Sequence, residues 1–484
     1  MKSLAAPDSV FRSSVGSLAA RVRSGELSAP QLLEAHIRRI ERVNPLLNAL
    51  VEPRFEHARK EAAGIADRLQ QGEELPLAGV PFVVKETVAV AGMPHTAGSM
   101  LRGDRIADKH AVAVQRLMDA GAIVMGLTNT SELGFWPQSS NRLHGATRNP
   151  WDLDRSAAGA SGADAALVSS GCAPFAIGSD WVGSNMISAG LCGVFAHKPT
   201  GGAVPVTGVL PLQPGRSRRY TVVGPLTRSA SDLNLVMRTM AGPDPSDPSS
   251  IPMRWDEPRT DWTWRRVLVC DALGQFGNRP SRDVRRALRL TARLLQQGGA
   301  DVEVWRPGQF ARAGEIWLSM IHEGYGLHHT FAATLSEGQR LSLVMEAVRT
   351  VAGRSRYTPP TLGMVALERL TKGSYARIQR FCAEGRRLRE RMNNMLAGGG
   401  VLLMPAWPEV APKHGSWLHD PRHMLYAALL NVLELPASTA PVAIGRRELP
   451  VGIMMVGAQG EDETTISAAM AVERATGAWS PVEV

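Results

Sequence analysis

One lysine and two hydroxyl-bearing turns of this chain have types and surroundings that suit acyl chemistry. Lys85 sits inside an apolar, strand-like run over residues 77–90. Burial would disfavour its ammonium form and lower its pKa, and a neutral lysine can act as a general base. Two turns rich in small residues and hydroxyls follow: Ala158-Gly159-Ala160-Ser161-Gly162-Ala163 and Gly178-Ser179-Asp180-Trp181-Val182-Gly183-Ser184. A serine directly after tightly turned backbone suits a nucleophile, because successive peptide N–H groups there converge on an oxyanion. Taken singly, each signal is ordinary. An edge lysine snorkels to water, and a lone Gly-Ser is a turn. Their surroundings give them weight.

Those surroundings follow βαβ grammar. Residues 16–48 read as helix, broken at Pro30, with Ser28 and Gln31 forming a capping-box pattern at the start of the second piece. Residues 50–72 read as another amphipathic helix. Residues 77–90 read as a strand, 110–133 as a helix followed by a strand at 122–127, and 163–171 as an Ala-rich helix. Strands at 266–273 and 301–305 flank a helix at 281–297. Residues 310–395 are mostly helical. Strand and loop return at 401–415, then a helix and strand over 424–442, a strand at 449–457 and a helix at 462–476. This alternation predicts an α/β fold: a large mixed, mostly parallel sheet covered by helices on both faces. Strands on both sides of the helical block predict a single domain over residues 1–484, with 310–395 as an insertion shaping a pocket.

Bulk properties exclude several classes. The chain has 484 residues, 44% of them hydrophobic, and a net charge of +9. Seven Lys stand against 47 Arg, a skew that points to genome composition, and no zinc-finger spacing, RNP motif or long basic run accompanies it. Nucleic acid is therefore not an expected partner. The four Cys form no CxxC pair, the N-terminus lacks a continuous apolar segment, and no stretch reaches the length of a membrane span. A cytoplasmic protein without an integral membrane segment is expected. No His/Cys/Asp/Glu cluster has metal-ligand spacing and no Gly-rich loop ends in Gly-Lys-Ser/Thr, so neither metal nor cofactor is expected. His414, in APKHG, reads as a structural loop residue.

Segments 79–99, 126–152, 155–200, 356–368, 402–415 and 431–442 together resemble the amidase signature family, closest to its fatty-acid-amide-hydrolase-2-like branch, in order along essentially the whole chain. The resemblance implies a Ser–Ser–Lys triad. The lysine base falls on Lys85 and the nucleophile on Ser184. The bridging serine, 24 residues before the nucleophile, falls on Ala160, because the flanking segments fit without a gap. Ser161 and Asp180 take supporting positions. The oxyanion hole falls on the backbone of Trp181, Val182 and Gly183. Val182 replaces a glycine, Met186 an arginine and Ser188 a proline of the family pattern, and Met186 deprives Asp180 of its usual cation.

The implied activity is a diverged acyl transfer on an amide, ester or thioester with an apolar acyl part. Ser184 attacks, Lys85 is the base, and either water or an amine accepts the acyl group. Losing one member of a proton-transfer unit typically costs about 10²–10⁴-fold, which would hurt an amide more than an activated ester. The alternative is a pseudoamidase that binds a small ligand or partner protein without turnover. A homodimer is an assembly compatible with either.

Overall fold

The computed structural model describes residues 9–211, 214–259, 261–263, 265–271, 279–306, 308–325, 330–371, 373–416, 421–477 and 479–484. Eleven strands form one sheet: β1 (Leu50–Pro53), β2 (Pro81–Lys85), β3 (Ile123–Thr128), β4 (Phe175–Asp180), β5 (Phe195–Lys198), β6 (Val222–Thr227), β7 (Arg266–Val269), β8 (Asp301–Val304), β9 (Val401–Pro405), β10 (Ala437–Ile444) and β11 (Pro450–Val456). Their spatial order is β1-β3-β2-β4-β6-β5-β10-β11-β9-β7-β8.

The sheet is mixed, as the sequence suggests, but it is not mostly parallel. Parallel pairing joins β3, β2 and β4 near one end, and β9, β7 and β8 at the other. Between them, β4, β6, β5, β10, β11 and β9 pair antiparallel in succession, and β1 pairs antiparallel with β3. The βαβ units identified in the sequence are the two flanks. The antiparallel centre includes β5 and β6, whose Ala-, Gly- and Pro-containing sequences carry little periodicity. β1 likewise lies within the stretch read as helix from residue 50; the helix itself spans Phe55–Gln70.

Alternation along the strands shows why the sheet needs cover on both faces. Val267, Val269, Leu403, Ile453 and Met455 join one apolar cluster, with Leu288, Leu295 and Ile466 of the helices Arg282–Gln297 and Asp462–Thr476. Leu268, Leu402, Met404, Met454 and Val456 point into the larger cluster on the opposite side. The capping box at Ser28 forms as the sequence predicts: the Gln31 N–H donates to Ser28 Oγ at 3.3 Å, and the Ser28 N–H to Gln31 Oε1 at 3.2 Å. Between β8 and β9 lie the helices Ala313–Tyr325, Phe331–Leu335, Leu343–Val351, Pro359–Thr371 and Tyr375–Leu396.

Candidate active site

Lys85 is the last residue of β2, and Asp180 is the last residue of its parallel neighbour β4. The site therefore forms where these parallel strands end, a place where open α/β sheets build sites. Two helices start there: α1 (Gly162–Ser169), capped by Ser161, and α2 (Ser184–Cys192), capped by Gly183. Each brings a hydroxyl to the positive end of a helix dipole.

The turn before α2 depends on glycine. Gly183 has φ 87°, and a Cβ there would lie 2.1 Å from Ala427 Cβ. Val182 adopts no positive φ, so the left-handed step falls on Gly183 alone and the β-branched side chain is accommodated. In the other turn, Ala158 and Gly159 both have positive φ, at 60° and 63°. A Cβ on Gly159 would meet Ser188 Oγ at 2.1 Å and the Ser184 carbonyl oxygen at 2.5 Å. The two turns are in backbone contact.

Lys85, Ser161 and Ser184 are all buried. Lys85 Nζ donates to Ser161 Oγ at 2.9 Å, to the Ser179 carbonyl at 2.8 Å and to Ser184 Oγ at 3.4 Å. The two serine oxygens are 3.2 Å apart. Ser161 Oγ donates to Asn185 Oδ1 at 2.7 Å, and Ser184 Oγ to the Ser179 carbonyl at 2.7 Å. Ala160 contributes only a buried methyl. Burial pulls the Lys85 ammonium below the ordinary lysine value, and the carboxylates of Asp164 and Asp180 oppose that shift. Burial pushes the Asp164 carboxyl up. Thr128 Oγ1 donates to its Oδ1 at 2.6 Å.

Asp180 has three hydrogen-bond donors in the absence of an arginine at 186. Its carboxylate accepts from the N–H of Gly183 at 2.7 Å, the N–H of Asn185 at 2.8 Å and Asn431 Nδ2 at 3.1 Å. This corrects one expected oxyanion donor: the Gly183 N–H faces Asp180 and is occupied. The N–H groups of Trp181, Val182 and Ser184 meet no acceptor among the described residues. Met186 Sδ accepts from Thr439 Oγ1 at 3.4 Å, and the Ser188 hydroxyl lies 2.8 Å from the Ala158 carbonyl oxygen and 2.6 Å from that of Ser184.

Residues 31–466 match the Amidase family. The chain belongs to the amidase signature family. It is 34% identical over 479 residues to fatty-acid amide hydrolase 2-B of Danio rerio, covering 96% of this chain and 89% of that protein. It is 43% identical over 235 residues to an acylamidase of Rhodococcus erythropolis, 48% of each chain. Among solved structures it resembles the peptide amidase of Stenotrophomonas maltophilia, with TM-score 0.79, 26% identity and 99% of both chains covered. Membership of the amidase signature family accounts for the shared scaffold.

Trp181 joins the turn before Ser184 to the helical block. Its Nε1 donates to the Gly134 carbonyl at 3.2 Å, and its ring packs near Phe135, Phe331 and Trp317 at centroid distances of 5.2, 5.8 and 6.2 Å. Trp317 and Tyr426 line an apolar cavity of about 460 Å³, together with Phe310, Met364, Ile378 and Phe381. Ser184 is not part of its lining; Tyr426 precedes Ala427, the neighbour of Gly183. Phe310 and Trp317 line this cavity and belong to the same core cluster as Ile316, Met320 and Phe331. His414 sits in a loop with Nδ1 3.3 Å from Gln138 Nε2.

Sequence reasoning missed Asn185, Asp164 and Asn431. Asn185 follows the nucleophile position directly, and Asp164 lies three residues after Ser161 on the first turn of α1, so local spacing held a signal for both. Asn431 arrives from a distant helix, Leu425–Val432, and had none. Among the described residues no group of His, Cys, Asp and Glu has the arrangement of a metal site, and no helix is long and apolar enough to cross a membrane. The four cysteines are buried and form no disulfide with one another.

Proposed function

We propose that this protein transfers acyl groups from amides, and from esters or thioesters of the same acyl part, through Ser184 as nucleophile with Lys85 as base. The observation that carries the reading is the buried Lys85 amine, 2.9 Å from Ser161 Oγ and 3.4 Å from Ser184 Oγ at the start of α2. Ser184 Oγ adds to the substrate carbonyl carbon, and the carbonyl oxygen takes the negative charge. The N–H groups of Trp181, Val182 and Ser184 and the dipole of α2 favour that charge. The leaving amine departs with a proton returned from Lys85, and water or a second amine releases the acyl group from Ser184. The apolar cavity beyond Trp317 and Tyr426 takes the acyl part.

Relatives named as an amide hydrolase and an acylamidase support an amide carbonyl as the target. The test is a serine-directed fluorophosphonate. Covalent labelling that maps to Ser184 and disappears in Ser184→Ala and Lys85→Met is the expected result. Absence of labelling, with saturable binding of an intact apolar amide, supports the second reading: ligand binding without turnover, which the loss of a hydroxyl at Ala160 favours.

A further inference from the structure

We propose that Ser161 carries the bridging hydroxyl that Ala160 lacks, and that Asn185 is the positioning residue that holds it in place. This rests on the Ser184–Lys85 reading above and adds a proton path to it.

Both legs of the bridge through Ser161 are shorter than the direct contact. Lys85 Nζ to Ser161 Oγ is 2.9 Å and Ser161 Oγ to Ser184 Oγ is 3.2 Å, against 3.4 Å from Lys85 Nζ to Ser184 Oγ. A two-step transfer through Ser161 therefore uses better hydrogen-bond distances than direct abstraction. Asn185 fixes the intermediate oxygen. Its Nδ2 donates to the carbonyls of Gly178 at 3.2 Å and Gly224 at 3.3 Å. Those two acceptors orient the amide, so Oδ1 faces Ser161 and accepts at 2.7 Å. Position 178 must then be glycine. A Cβ there would lie 2.3 Å from Asn185 Oδ1 and 2.9 Å from Ser161 Oγ. Residues 161, 178 and 185 form one geometric set on the nucleophile's side of β4.

The step balances. At rest, the Ser161 hydrogen points to Asn185 and the Ser184 hydrogen to the Ser179 carbonyl. Rotation of both hydroxyls aligns Ser184 O–H toward Ser161 Oγ, and Ser161 O–H toward the lone pair of neutral Lys85. As the Ser184 Oγ–carbon bond forms, the Ser184 proton moves to Ser161 while the Ser161 proton moves to Lys85. The carbonyl π pair becomes the oxyanion. On collapse the carbon–nitrogen bond breaks, and the same two protons return in reverse, Lys85 to Ser161 and Ser161 to the leaving nitrogen. Acyl-Ser184, free amine and neutral Lys85 remain.

The experiment uses the full chain and the rate of Ser184 labelling by a fluorophosphonate, which needs Ser184 deprotonated but no proton for its fluoride leaving group. Ser161→Ala is expected to slow labelling by about 10²–10⁴-fold in a chain that thermal unfolding shows to be still folded at the assay temperature. Adding Ala160→Ser to that variant is expected to restore at least a tenth of the parent rate. Asn185→Leu is expected to slow labelling. Asn185→Asp, which keeps an acceptor oxygen and adds a negative charge near Lys85, is expected to recover the rate at high pH, with the acid limb moved upward. Labelling of Ser161→Ala within threefold of the parent, still lost in Ser184→Ala, overturns the relay and leaves the Ser184 reading intact. Labelling that persists in Ser184→Ala removes that reading, and the relay with it.

Discussion

Gly183→Ala is the sharpest test of how the nucleophile is seated. Two costs follow from the geometry. Alanine at φ 87° pays the left-handed penalty of roughly 1–2 kcal/mol. Its Cβ would also stand 2.1 Å from Ala427 Cβ and 3.1 Å from the Ala427 carbonyl carbon, so the helix Leu425–Val432 must retreat, an overpacking cost of roughly 1–3 kcal/mol. The sum is about 2–5 kcal/mol. Gly92→Ala separates the two terms, because Gly92 has φ 77° and open space where its Cβ would fall. It should lose only the dihedral part. Urea midpoints of parent and both variants measure the difference. Labelling of Ser184 measures the functional consequence: Ser184 is joined to the moved backbone, and a displacement near 1 Å costs on the order of 10²-fold. If Gly183→Ala is no less stable than Gly92→Ala and labels at the parent rate, the contact with Ala427 does not seat the nucleophile.

Three further outcomes are expected. Labelling of Ser184 should rise with pH as Lys85 loses its proton, with a midpoint below the ordinary lysine value because burial lowers it. Asp164 raises that pKa, so Asp164→Asn should move the limb to lower pH, and movement the other way would contradict the assigned electrostatics. Met186→Arg should destabilise the fold by about 2 kcal/mol or more in a urea titration, because Asp180 already has three donors and the new cation would be buried. Trp317→Ala should cost roughly 3–5 kcal/mol while Ser184 still labels, and the preferred acyl length in a series of p-nitrophenyl esters should increase.

The sequence revealed the scaffold where side-chain pattern is strong. Ser28 and Gln31 announce a helix start, and the apolar runs at 77–90, 401–415 and 449–457 announce strands buried on both faces. The centre of the sheet was hidden because β4, β5 and β6 are short and mix small residues, glycine and proline with apolar ones. The antiparallel pairing there follows from tertiary return of the chain. In the site, the juxtaposition of Lys85 and Ser184 was legible from their segments. The engagement of the Gly183 N–H by Asp180 was not, since it depends on how the carboxylate folds back over the turn. Nor was the placement of Ser161 Oγ between the lysine and the nucleophile, because one residue's step along a tight turn decides which side chain faces inward.

On the proposed Ser184 reading, Trp181 couples selectivity to rate. The residue sits within the turn that seats Ser184, and its ring packs on Trp317 and Phe331 of the helical block. Substitutions that reshape the cavity wall at Trp317 press on the indole of Trp181, a residue of the turn that leads into Ser184. Variants selected only for a different acyl group are therefore expected, on that reading, to change in kcat as well as KM. The productive route to a new specificity is paired substitution, one change in the wall and one at Trp181, so that the nucleophile loop is retuned as the cavity is.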